Sequence, residues 1–162
     1  MSLFGGNSIL RKCMTTSKRD SDKLNIVGFV CNWGAYTGVE MAGFKKLEYP
    51  ASVKLVKLMC LGRLNLGLIL RSFELGADGV ALLGCPPQEC HYGSGMERAK
   101  EVFDQATKIL HLLGINPRRL DLIEIPLGRD DIFVTRISAF AKYISKASLK
   151  QKELVSCRKS AK

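Results

Sequence analysis

The run Gly79–Gly84, GVALLG, is apolar or glycine at every position. A strand with one face in water alternates polar and apolar residues, because successive side chains point to opposite faces. An unbroken apolar run fits a strand covered on both faces, as in parallel sheets flanked by helices. Such a sheet needs further strands of the same direction, each reached through a helix long enough to cross back.

The rest of the chain supplies that pattern. KLNIVGFVCNW (23–33) is rich in β-branched and aromatic residues and reads as a first strand ending at Cys31. ASVKLVKLMC (51–60) reads as a second strand ending at Cys60, DGVALLG (78–84) as a third and RLDLIEIPL (119–127) as a fourth. Between them lie helical spacings. A short helix spans 37–48 and closes at Tyr49-Pro50. A second spans 64–76, with Asn65 as cap and Gly76 as stop. A third carries Ala99, Val102, Phe103, Ala106, Ile109, Leu110 and Leu113 on one stripe, and Gly114 ends it. Ser94 and Glu97 match the capping box S-x-x-E at its start. A last helix over 130–145 presents Phe133, Ile137, Phe140, Ala141 and Ile144. Strands joined by helices of this length imply right-handed crossovers. The expected fold is α/β, a doubly wound, flavodoxin-like parallel sheet of about four strands flanked by helices.

Charge separates the body from the ends. The 162 residues carry a formal +10. Residues 1–23 hold a net +3 and residues 146–162 a net +5, which leaves +2 for the body. The expected organisation is one domain over 24–145 between flexible basic tails over 1–23 and 146–162. The body has no basic patch interleaved with aromatic residues of the kind that stacks bases, so no nucleic-acid partner is expected. No apolar run reaches the roughly 18–20 residues that cross a bilayer, and no transmembrane segment is expected. The N-terminal stretch lacks the order of a secretory signal, which points to the cytoplasm.

Four cysteines then stand out. Cys31, Cys60 and Cys85 fall at the carboxyl ends of three expected strands, and Cys90 follows the stiff Pro86-Pro87 turn. In a parallel sheet all carboxyl ends lie along one edge, where open α/β folds bind ligands. Four thiols dispersed in sequence therefore converge. Four thiolates suit a 2Fe–2S or 4Fe–4S centre, and zinc accepts four as well. Each cysteine alone is as well read as a small buried hydrophobe. Cys13 and Cys157 sit in the tails and join no pattern. Trp33, Arg63 and Tyr92 flank the four thiols and are candidates for a surrounding shell; His91 is a candidate metal ligand, with an exposed turn histidine as the commoner reading. Neither G-x-G-x-x-G after the first strand nor G-x-x-x-x-G-K-[ST] nor G-x-S-x-G occurs, so nucleotide-loop and serine-hydrolase readings fail and no self-contained enzyme is expected.

The segments GFVCNWGAYTGVEMAG, YPASVKLVKLMCLGR, GADGVALLGCPPQECHYGSG and LLGINPRRLDLIEI together resemble the delta subunit family of methyl-viologen-reducing hydrogenase. The resemblance covers about residues 24–145. It implies a 2Fe–2S cluster on Cys31, Cys60, Cys85 and Cys90. It also implies electron relay from a hydrogenase or formate dehydrogenase to the flavin-containing subunit of a heterodisulfide reductase-type complex. Two positions depart from the family pattern: Gly34 stands where a second cysteine of a Cys-x-x-Cys pair is usual, and Pro86-Pro87 replaces a His-Pro. A cluster-free adaptor of the same complex is the alternative that Gly34 raises.

Overall fold

Gly79–Gly84 forms a strand buried along its whole length. It sits inside a four-stranded sheet in which every pairing is parallel. The structure, a computed structural model, describes the backbone of residues 24–160 and the side chains of residues 24–147. The basic segment 1–23, with Cys13, lies outside the described residues, as does the side chain of Cys157.

The elements follow in the order β1 (Ile26–Cys31), α1 (Ala35–Phe44), β2 (Val53–Leu58), α2 (Leu66–Glu74), β3 (Gly79–Gly84), α3 (Gly95–Leu112), β4 (Leu120–Glu124) and α4 (Asp130–Ser160). Across the sheet the order is β2-β1-β3-β4. The chain leaves β1 in one direction to build β2, then crosses back to β3 and continues outward to β4. Helix α1 packs with α4, and α2 with α3, so the sheet is covered in two pairs. This is the doubly wound α/β arrangement that the apolar run of β3 demands.

The core explains the pairs. Ile26, Val30, Val80, Leu82 and Leu83 from the sheet meet Phe133, Ile137 and Ile144 of α4 and Ala99, Ala106 and Leu110 of α3, all essentially without exposure. The buried carboxylate of Asp130 accepts two hydrogen bonds from the Lys45 ammonium, at 2.9 and 3.0 Å, tying the start of α4 to the end of α1. Asn65 caps α2 as its sequence position implies, its Oδ1 accepting from the Leu68 N–H at 2.9 Å.

Several expectations shift. The first helix spans Ala35–Phe44 and so ends before Tyr49-Pro50, its expected close. The last helix does not end near residue 145 but runs to Ser160, into the segment set apart as a tail. No glycine or proline occurs after Asp130, and Ala, Lys, Gln, Glu and Leu dominate there, so nothing in the sequence breaks the helix. Ser94 holds the cap position of α3, but its side chain makes no capping hydrogen bond. Among the described residues no helix is long and apolar enough to cross a membrane.

Candidate functional site

The point where strand order reverses lies between β1 and β3, and their carboxyl ends carry the first two thiols. Cys31 is the last residue of β1, and Cys85 follows β3 directly; both are buried. Cys60 lies two residues past β2, not at its end as expected, because the strand stops at Leu58. There it opens a single turn of 3-10 helix, Leu61–Arg63, and its Sγ accepts a hydrogen bond from the Gly62 N–H at 3.4 Å. Pro87–Glu89 forms another such turn, and Cys90 follows it half-buried. Glu89 fixes that loop by accepting a hydrogen bond from the Leu127 N–H at 2.8 Å. The fold thus brings all four cysteines singled out in the sequence to one sheet edge, each as a free thiol.

Glycine makes this convergence possible. A Cβ on Gly95 would lie within 3.0 Å of both the Cys60 and the Cys90 sulfurs. A Cβ on Gly62 would meet the Gly95 backbone at 2.8 Å. The Cys60 turn therefore presses directly on the first residue of α3, backbone against backbone. Gly34 has the same character: a Cβ there would stand 2.5 Å from Cys85 Cβ and 3.7 Å from its sulfur. In this packing the position expected to differ from the family pattern abuts Cys85, with no room for a further side chain.

Three of the four thiols are shifted by their surroundings, neighbouring sulfurs among them. Burial pushes the Cys85 thiol up to about 12, and the neighbouring thiols of Cys31 and Cys90 add to the shift. Burial also raises Cys60; the Gly62 N–H offsets part of this, while Cys31 and Cys90 act in the same sense as burial. Cys90 behaves oppositely. Burial would raise it, but the N–H groups of Tyr92, Met96 and Gly95 point at its sulfur and, with the Cys85 thiol, hold it below the ordinary thiol value. The buried thiols of Cys60 and Cys85 thus lie in surroundings that disfavour a bare charge, unless a cation or cluster accepts it. Among the described residues no three His, Cys, Asp or Glu side chains are arranged to share one metal ion.

Aromatic rings cover the edge. The Trp33 ring stacks on His91 at 4.2 Å, and His91 meets Tyr92 edge-on at 4.9 Å. Trp33 Nε1–H donates to the Tyr92 hydroxyl at 3.3 Å. These residues follow Cys31 and Cys90 in sequence, so the clasp joins the two loops that bear them. His91 is thereby engaged by stacking. The sequence singles out Trp33, Tyr92 and Arg63 but gives no sign of Gly62, Gly95 and Arg98. The glycines are visible in CLGR and GSG, yet their mutual contact is non-local and leaves no sequence pattern.

A doubly wound domain with four thiols around its switch point defines a class of thiol-bearing α/β domains. The chain belongs to the family described as methyl-viologen-reducing hydrogenase, delta subunit, which matches residues 26–147. It is 32% identical over 121 residues to the vhu iron-sulfur subunit of the F420-non-reducing hydrogenase of Methanocaldococcus jannaschii, covering 75% of this chain and 90% of that protein. It is 41% identical over 98 residues to the iron-sulfur subunit of the F420-non-reducing hydrogenase of Archaeoglobus profundus, covering 60% of this chain and 72% of that protein. A third likeness, 31% over 139 residues, is to a subunit of the ferredoxin:CoB-CoM heterodisulfide reductase of Methanosarcina mazei. It covers 86% of this chain, which spans only 18% of that longer protein.

Proposed function

We propose that this chain is an electron-transfer subunit holding a 2Fe–2S cluster on Cys31, Cys60, Cys85 and Cys90. The observation that carries the reading is the convergence of those four thiols at the switch-point edge of the sheet, with Cys31 and Cys90 near enough to act on Cys60 and Cys85. A 2Fe–2S centre takes two protein ligands on each iron, so it asks for four thiolates without three on any one ion. The relatives named as iron-sulfur subunits support an iron–sulfur cofactor in general.

When bound, such a centre supplies one-electron redox chemistry. The chain's own residues prepare for it. Gly62, Gly95 and Gly34 let three loops close on one space. The N–H groups of Tyr92, Gly95 and Met96 on Cys90, and that of Gly62 on Cys60, stabilise sulfur charge and would tune a potential. Trp33, His91 and Tyr92 tie together the two loops that bear Cys31 and Cys90. The proposed partners are an electron donor such as a hydrogenase or formate dehydrogenase, and the flavin-containing subunit of a heterodisulfide reductase-type complex. The likeness to one stretch of a longer heterodisulfide reductase chain supports docking on a protein of that kind.

The test is chemical analysis after anaerobic reconstitution with iron and sulfide. About two irons and two sulfides per chain, with a visible band that bleaches on reduction and is lost in Cys85→Ser, are expected. A folded, colourless, iron-free protein would instead establish the cluster-free adaptor, and stoichiometric zinc without colour would establish a zinc module.

A further inference from the structure

We infer that the pocket above Cys60 is a seat for a phosphate ester of mononucleotide size. Because Cys60 lines it, the seat adjoins whatever group the four thiols hold. The pocket has a volume of about 440 Å³ and lies between the Cys60 turn and the start of α3. Cys60 lines its base, Arg63 and Arg98 supply the charge, Tyr92 and Ser94 supply hydroxyls, and Met59 adds an apolar wall. No acidic residue lines it.

The charge there is uncompensated. Elsewhere Arg71 pairs with Glu74, Arg129 with Asp131, and Arg119 donates to the carbonyls of Ala77 and Asp78, while Arg118 and Arg136, also without an ion pair among the described residues, share their pocket with Asp121. Arg63 and Arg98 have no ion pair or side-chain hydrogen bond to any other described residue. Two guanidiniums on one concave surface repel each other, and an oxyanion between them removes that cost while accepting paired N–H bonds. The hydroxyls are also available. Ser94 stands at the cap of α3 without capping it, and Tyr92 accepts from Trp33 while keeping its own O–H to donate. The first N–H groups of α3 are not the anchors, because those of Gly95 and Met96 are aimed at Cys90.

Size and lining set the ligand class. The volume lies in the range of small-molecule sites, and a bare phosphate would leave most of it empty. Met59 and Tyr92, 53% and 54% exposed, offer a thioether and a ring on which a flat apolar group can rest. Charge for the phosphate and an apolar wall for a ring together describe a mononucleotide.

The test is calorimetric titration of the full-length protein, anaerobically reconstituted with iron and sulfide and, in parallel, cluster-free, with AMP, adenosine, inorganic phosphate and glutamate. Saturable AMP binding is expected, with inorganic phosphate weaker and adenosine and glutamate weaker still. Arg63→Ala and Arg98→Ala should each weaken AMP about tenfold, the loss of one charge-assisted contact. Arg71→Ala removes a charge outside the pocket and should leave affinity unchanged. All three arginines are exposed, and a melting curve verifies that each variant folds. Equal losses in Arg71→Ala would show diffuse attraction to a basic chain and overturn the proposal. So would adenosine or glutamate binding as tightly as AMP, or no saturable binding at all.

Discussion

The two edges of the sheet are built on opposite terms. At the amino edge, polar groups close on one another. Asn25 N–H donates to the Asp78 carboxylate at 2.8 Å, the Asp78 N–H returns to the Asn25 carbonyl at 2.7 Å, and Arg119 clamps the neighbouring carbonyls. Gly76 and Gly114 end α2 and α3 there in the left-handed conformation, with no neighbour that a side chain at Gly114 would strike. At the carboxyl edge three free thiols are buried and glycines are pressed against sulfur. The amino edge is closed chiefly by its own hydrogen bonds, although Asn25 Oδ1 is buried there without a partner among the described residues, whereas the carboxyl edge gathers thiols and glycines.

Substituting glycines at the two edges breaks this comparison most sharply. Gly95→Ala places a methyl against the sulfurs of Cys60 and Cys90 and should cost roughly 1–3 kcal/mol of overpacking. The same change should abolish iron retention, measured as iron per folded chain. If Gly95→Ala kept its iron, the close approach of the Cys60 turn to α3 would have no bearing on the site.

Alkaline pH should discriminate next. Cys85 is raised from 9.0 to about 12, chiefly by burial, so the folded cluster-free protein prefers the neutral thiol more than the unfolded chain does. That stability is fully present below pH 9.0 and is lost as pH rises from there toward 12. The melting temperature of the cluster-free protein should fall through that window, and Cys85→Ala should flatten the fall relative to its own neutral value. An identical pH profile in the variant would assign the alkaline loss to other groups. The smallest effect belongs to the amino edge. Gly114→Ala forces a side chain to a φ of +70° in open space and should cost about 1 kcal/mol, with iron content unchanged.

Much of this is legible in sequence wherever the cause is local. The continuous apolar run of β3, the Asn65 cap and the Gly76 and Gly114 stops follow from side-chain chemistry within a few residues, and each stands where expected. The meeting of the cysteines is legible because parallel strands share an edge, and three of the four sit at or just past strand ends. What escapes depends on contacts across the chain. The capping box at Ser94 and Glu97 promises a side-chain cap. Instead the N–H groups of Gly95 and Met96 face the sulfur of Cys90, a partner supplied by the preceding loop. The Gly62–Gly95 contact, the Trp33–His91 stack and the meeting of Arg63 with Arg98 in one pocket likewise need the fold before they exist. The length of α4 escapes for a different reason: its charge suggests a tail, although no residue there opposes a helix.

The most direct measurement of the central claim is a reductive titration of the anaerobically reconstituted protein, followed by electron paramagnetic resonance. One electron taken up per two irons, giving a single paramagnetic signal that disappears in each of Cys31→Ser, Cys60→Ser, Cys85→Ser and Cys90→Ser, is the result the account requires. A protein that folds with all four thiols intact yet takes up neither iron nor electrons would contradict it.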